Sequence, residues 1–127
     1  EKEFIINGTA AFRCDKEWMI EAIGNIIKNA CEHTVTDGKI TVSISQSESS
    51  VTLVIEDNGG GVPKEQLPLL FNRFYRADNA SPESAGIGLA ISKAIFEKHH
   101  ATVTAENGKD GLKITVCFPI INANIKL

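Results

Sequence analysis

A two-layer α/β sandwich, with helices over one face of a mixed, mostly antiparallel sheet, is the fold class that the sequence predicts, and three observations lead to it. Ile40, Val42 and Ile44 alternate with Thr41, Ser43 and Ser45, and Val51, Leu53 and Ile55 repeat the same period after a polar turn at Ser47 to Ser50. Two antiparallel strands with one buried face have that pattern. Met19, Ala22, Ile23, Ile26, Ile27 and Ala30 recur at the spacing of an amphipathic helix. Strand-like and helix-like stretches then follow one another as ββαββααββ within 127 residues, the length of one ordinary domain.

Each element has its own signal. Residues 3–14 hold two short β-like runs around Asn7-Gly8, a pair suited to a hairpin turn. Asp15 stands where an N-cap is needed, and the first helix should end near His33-Thr34, ahead of Asp37-Gly38. The strand ending at Ile55 runs into Asp57-Asn58-Gly59-Gly60-Gly61, which must be a loop. Residues 64–74 predict a short helical stretch, and the polar segment 75–85, with Pro82 and no apolar period, reads as a mobile connection. Ile87, Ile91, Ala94 and Ile95 mark a second long helix, ended by His99-His100. Strands at 101–107 and 112–118 close the chain around Asn107-Gly108 to Gly111, with Leu112, Ile114, Val116 and Phe118 on one face. Trp18 is expected in the core or as an anchor of the first helix.

Composition narrows the function. Hydrophobic residues at 43% and charged residues at 23% are those of a folded globular chain. Thirteen Lys and Arg against sixteen Asp and Glu leave a net charge of -3, which argues against general attraction to nucleic acid or an anionic membrane. No apolar run approaches the roughly 20 residues of a membrane span, and Glu1-Lys2-Glu3 does not open a signal peptide. Cys14, Cys31 and Cys117, three at wide spacing, form no metal or redox motif and read as small core side chains of a reducing compartment. The abrupt start inside the alternation at Phe4-Ile5-Ile6 is that of a piece of a longer protein.

Three places have chemical potential. On the first helix Glu21, Asn25, Asn29 and His33 form a stripe that drifts about 40° per step toward the apolar face, leaving Asn29 at its rim and His33 within it, while Lys28 and Glu32 point to solvent. Asn29 is then either a buried hydrogen-bonded amide or a neutral oxygen for a hard cation such as Mg²⁺. Asp57 either starts an Asx-turn or uses its carboxylate, an acceptor only, to receive the exocyclic amine of adenine. Gly86-Ile87-Gly88-Leu89 opens a helix, and a glycine-rich helix start suits an anion; Arg73 and Arg76 are then surface residues or phosphate contacts. His99-His100 has no metal-binding spacing, and Ser81 and Ser84 have no nucleophile context.

Taken in order, Asn25-Ile-Ile-Lys-Asn29-Ala30, Asp57-Asn-Gly-Gly-Gly61-Val-Pro, Leu70-Phe71-Asn-Arg-Phe74-Tyr-Arg76 and Gly86-Ile-Gly88-Leu89-Ala-Ile closely resemble the N, G1, F and G2 boxes of the ATP-binding catalytic domain of bacterial sensor histidine kinases. That superfamily also holds DNA gyrase B, Hsp90 and MutL. The resemblance covers essentially the whole chain and implies the Bergerat-type ATP-binding fold over 1–127, with the dimerisation and phosphoacceptor domain and the sensor region absent. It implies ATP and Mg²⁺ as cofactors. Asn29 would be the metal ligand, Asp57 the adenine reader, Gly59 and Gly61 the purine-loop glycines, and Gly86, Ile87, Gly88 and Leu89 the start of the lid helix beside the triphosphate. Asn25, His33, Phe74 and Arg76 complete the nucleotide-binding set, and Phe71 with Phe74 supports the lid.

The resemblance also implies partners and a reaction. The γ-phosphoryl group would pass from ATP to a His on the missing dimerisation domain and onward to a response regulator, with no catalytic residue in this stretch. The domain would be monomeric, cytoplasmic, without direct membrane or nucleic-acid contact, and part of a membrane-anchored kinase. Several positions depart from the family pattern: Glu32 stands where a basic residue is frequent, Ser84 where another Gly is, His99-His100-Ala101 replaces His-Gly-Gly, and Leu112 sits at a frequent Thr. The alternatives are a stand-alone serine kinase of the anti-sigma type, against which Asn25 in place of Glu argues, and a catalytically eroded nucleotide-binding module.

Overall fold

The computed structural model describes residues 3–10, 14–34, 37–72 and 88–120. Strand β1 spans Glu3–Asn7, helix α1 Lys16–His33, β2 Lys39–Gln46, β3 Ser50–Asp57, a 3₁₀ helix Lys64–Leu69, α2 Gly88–Lys98, β4 Thr102–Asn107 and β5 Leu112–Pro119. The five strands form one sheet in the order β1-β2-β3-β5-β4, antiparallel except for the parallel β1–β2 pair. Among the described residues no helix is long and apolar enough to cross a membrane.

The period-two patterns decide which sheet face is buried. Ile40 and Val42 of β2, Val51, Leu53 and Ile55 of β3, and Leu112, Ile114, Val116 and Phe118 of β5 are all buried. Their alternation partners remain partly open. The helix layer meets this face through Met19, Ala22, Ile26 and Ala30 of α1 and through Leu89, Ile95 and Phe96 of α2. Phe96 is completely buried and stands edge-on to Phe118 with ring centroids 5.6 Å apart, an arrangement that aromatic quadrupoles favour.

Helix ends follow their signals. Asp15 caps α1, its Oδ1 accepting the Trp18 N–H at 3.1 Å. At the other end the Thr34 hydroxyl donates to the Ala30 carbonyl. Helix α2 closes in a Schellman motif, with Ala101 N–H on the Phe96 carbonyl at 2.9 Å and His100 N–H on the Glu97 carbonyl at 3.0 Å. This places His100 in the left-handed region, φ 62°.

Several expectations need correction. Among the described residues no Asn7-Gly8 hairpin is present: β1 pairs parallel with β2, Phe4 opposite Ile40 and Ile6 opposite Val42, and residues 11–13 of the expected second run lie outside the described residues. Gly8, at φ 86°, turns the chain out of the sheet where a Cβ would run into the Ile44 carbonyl. The helical stretch expected over 64–74 is a 3₁₀ helix ending at Leu69, where Pro68 lacks the N–H an α-helix uses. Ala94 is exposed, and the buried face of α2 includes Ser92 and Phe96 instead. Trp18 is 55% exposed, and Cys14 is exposed while Cys31 and Cys117 are half-buried. Glu32 is half-buried, whereas Lys28 is exposed as expected.

Candidate functional site

The carboxyl end of β3 is where the polar groups converge. Asp57 continues the alternation of Val51, Leu53 and Ile55, so it lies on the face covered by helices and is only 5% exposed. Its Oδ1 accepts the Gly59 N–H at 2.9 Å and the Leu112 N–H at 3.2 Å. The Asx-turn is therefore present, and among the described residues both bonds fall on one oxygen, leaving Oδ2 without a protein donor.

The loop after Asp57 is held from three sides. Asn58 Oδ1 accepts the Lys39 N–H at 2.8 Å, and the Gly60 N–H donates to the Asp110 carbonyl at 3.0 Å. The Asn107 amide pairs with both backbone groups of Val62, accepting its N–H at 3.0 Å and donating to its carbonyl at 2.8 Å. Asn107 looked like a turn residue in the sequence, because nothing local shows that its side chain reaches across to the loop 45 positions away. Gly59 packs so closely on α1 that a Cβ would meet the His33 carbonyl. Gly61, at φ 75°, has the Asn107 amide where a side chain would go.

Helix α1 carries two asparagines one turn apart. Asn29 is half-buried, and its Oδ1, buried from solvent, has no hydrogen-bond partner among the described residues. A sealed, unpaired carbonyl oxygen costs about 1–3 kcal/mol, so it calls for a partner that the described residues do not provide. Asn25 donates its Nδ2–H to the Gly88 carbonyl at 3.2 Å, which ties α1 to the first residue of α2. An oxygen acceptor on a half-buried amide fits a hard cation such as Mg²⁺. Among the described residues no group of three or more His, Cys, Asp and Glu is positioned to hold a metal.

Of the residues singled out in the sequence, Asn25 meets Gly88 through a hydrogen bond, Asp57 holds Gly59, Gly61 packs on the Asn107 amide, and Asn29 stands one turn from Asn25 on α1. His33 is half-buried and meets the site through its backbone carbonyl behind Gly59. Leu89 is buried in the core, 8% exposed. Phe74, Arg76, Gly86 and Ile87 lie outside the described residues, as do Arg73, Ser81, Ser84 and the whole segment 75–85.

Residues 14–122 match the family model described as "Histidine kinase-, DNA gyrase B-, and HSP90-like ATPase". The chain is 37% identical over 122 residues to the heme sensor protein HssS of Staphylococcus saprophyticus, covering 93% of this chain and 26% of that protein. It is 33% identical over 110 residues to the sensor histidine kinase YvrG of Bacillus subtilis, covering 84% of this chain and 19% of that protein. The chain thus spans about a quarter or less of the length of these relatives. Among solved structures, the mycobacterial sensor histidine kinase MprB superposes with a TM-score of 0.86 at 28% identity, over 93% of this chain and 83% of that one. The chain belongs to the histidine kinase-, DNA gyrase B- and HSP90-like ATPase family, in which it is similar to the ATP-binding domains of sensor histidine kinases.

Proposed function

We propose that residues 1–127 are the catalytic domain of a sensor kinase, which binds Mg-ATP and supplies the γ-phosphoryl group to a histidine on a separate dimerisation domain. The reading extends to a response regulator downstream, as in the solved complex of the histidine kinase ThkA with the response regulator TrrA, and to a cytoplasmic position within a membrane-anchored protein. The observation that carries it is the buried Oδ1 of Asn29, which has no hydrogen-bond partner among the described residues, in a family of ATPases.

In this reading Asp57 accepts the exocyclic amine of adenine, because a carboxylate can only accept and would repel the carbonyl that guanine carries there. Gly59 and Gly61 keep the loop free of side chains beside the ring. The first turn of α2 offers N–H groups to phosphate oxygens, and Asn29 holds Mg²⁺, whose charge would offset that of the phosphates. Asn25 is an amide already bonded to Gly88 and cannot serve as a general base, which favours phosphoryl transfer to an acceptor over hydrolysis. A stand-alone serine kinase would gain from a carboxylate at that place.

The test is a titration of ATP against wild type and Asn29→Ala, in Mg²⁺ and in EDTA. Asn29→Ala is expected to weaken binding at least tenfold in Mg²⁺ and little in EDTA, with Lys28→Ala near wild type in both. Equal losses in the two media would remove Asn29 from the metal.

A further inference from the structure

Helices α1 and α2 run antiparallel and are joined by three polar bridges in constant register. At one end the Asp15 N–H donates to His99 Nε2 at 3.0 Å, while His99 Nδ1 donates to the Ile95 carbonyl at 2.9 Å. In the middle the completely buried Ser92 donates its hydroxyl to the Ala22 carbonyl at 2.7 Å. At the other end Asn25 Nδ2 donates to the Gly88 carbonyl at 3.2 Å. The first two bridges hold the middle and the far end of α2. Among the described residues only the Asn25 bridge reaches the first residue of α2, where the N–H groups proposed to meet phosphate begin.

Gly88 is the first residue of α2, so its carbonyl also accepts the Ser92 N–H in the helical ladder. A side-chain amide on that same carbonyl fixes where the first turn sits and resists its fraying. Asn25 and Asn29 are one helical turn apart on the same side of α1, so a fixed Asn25–Gly88 bond also fixes the first turn of α2 relative to the unpaired Asn29 oxygen. The donor that Asn25 commits to Gly88 is no longer directed at a ligand.

We propose that Asn25 is a positioning residue that clasps the first turn of α2 to α1, so that the anion-binding end of α2 and the cation-binding oxygen of Asn29 are presented in fixed relation. The inference rests on the Mg-ATP reading for its consequence in binding, and on the Asn25–Gly88 bond alone for its structural part.

The experiment measures amide hydrogen exchange at residues 92–94, whose N–H groups bond to the first carbonyls of α2, together with nucleotide affinity. It compares the nucleotide-free domain as wild type, Asn25→Ala, Asn25→Asp and His99→Ala. Asn25→Asp keeps the side-chain shape and removes the donor. Both Asn25 variants are expected to speed exchange at 92–94 about three- to tenfold, the worth of one hydrogen bond, with β3 amides unchanged as the internal measure of intact folding. His99→Ala should speed exchange at the far end of α2 and leave 92–94 as in wild type. Asn25→Ala should raise the Kd for ATP by a similar three- to tenfold in Mg²⁺ and in EDTA alike. Unchanged exchange at 92–94 in Asn25→Asp, or a loss of affinity confined to Mg²⁺, would overturn the proposal. Failure of the Mg-ATP reading would show separately, as an Asn29→Ala variant indifferent to Mg²⁺ with the exchange result still in place.

Discussion

Asp57 has two duties that its two oxygens divide. Oδ1 holds the Gly59 and Leu112 N–H groups, and Oδ2 is the oxygen proposed for adenine. Asp57→Ala would remove both at once and confound binding with folding. Asp57→Asn separates them, since the amide oxygen can keep the Oδ1 bonds while the NH₂ group turns an acceptor into a donor. We expect Asp57→Asn to melt within a few degrees of wild type and to bind ATP tens- to hundreds-fold more weakly, roughly the 2–3 kcal/mol of a lost charged hydrogen bond. Its preference for ATP over GTP should shrink. Titration calorimetry with both nucleotides, beside a melting curve, measures all three. ATP affinity equal to wild type would take Asp57 out of the adenine site.

At the scale of elements, α2 matters because its first turn borders the site while its hold on the protein lies further along. Phe96 and Ile95 bury it against the sheet and Ser92 bonds it to α1. Phe96 has no exposed surface and meets the Phe118 ring edge-on, so nothing nearby can collapse cheaply into the space it fills. Phe96→Ala should cost about 3–5 kcal/mol, a large share of the roughly 5–15 kcal/mol that stabilises a whole domain. Chemical denaturation would show it as a lower midpoint at similar slope. A loss below 1 kcal/mol would mean that α2 is held mainly by its polar bridges. The β4–β5 turn is the second element that shapes the site, through Asn107 on Val62 and Asp110 on Gly60.

For the molecule as a whole, the expected behaviour is binding without turnover. Asn25 is no base. Of the three histidines, His33 shares the helix of the proposed metal ligand, His99 is bonded through both ring nitrogens, and His100 ends the α2 turn in a left-handed conformation. In-line transfer needs an acceptor opposite the leaving group, about 3–3.5 Å from the γ-phosphorus, which in the proposed reading is a histidine of the separate dimerisation domain. Incubated with γ-labelled ATP, the 127-residue domain should remain unlabelled and release little phosphate. A dimerisation domain from a relative, added in trans, should gain acid-labile phosphate. Robust hydrolysis by the domain alone would move it toward the gyrase-like ATPases.

Local periodicity carries whatever depends on neighbours in the chain. The alternation in β2, β3 and β5, the apolar stripe of α1 and the Asp15 cap could be read directly, because burial of one face forces a period on the residues that make it. The same rule put Asn29 at the edge of the apolar stripe, whereas Asp57, read as the start of a loop, proves to be the buried last residue of β3. The sequence by itself therefore determined the layered fold, most of the elements and the residues worth testing. Tertiary structure decided what depends on partners far along the chain. Phe4 to Ile6 could pair with any strand, and only the assembled sheet sets β1 parallel to β2. Nothing in the sequence marks Ser92 as the donor to the Ala22 carbonyl, and Asn107 reads as a turn residue until Val62 is beside it. Asn25 shows its bond to Gly88 only when α1 and α2 are packed 63 positions apart. A hydrogen bond between distant residues leaves no period in the sequence, since its geometry exists only after the chain has folded.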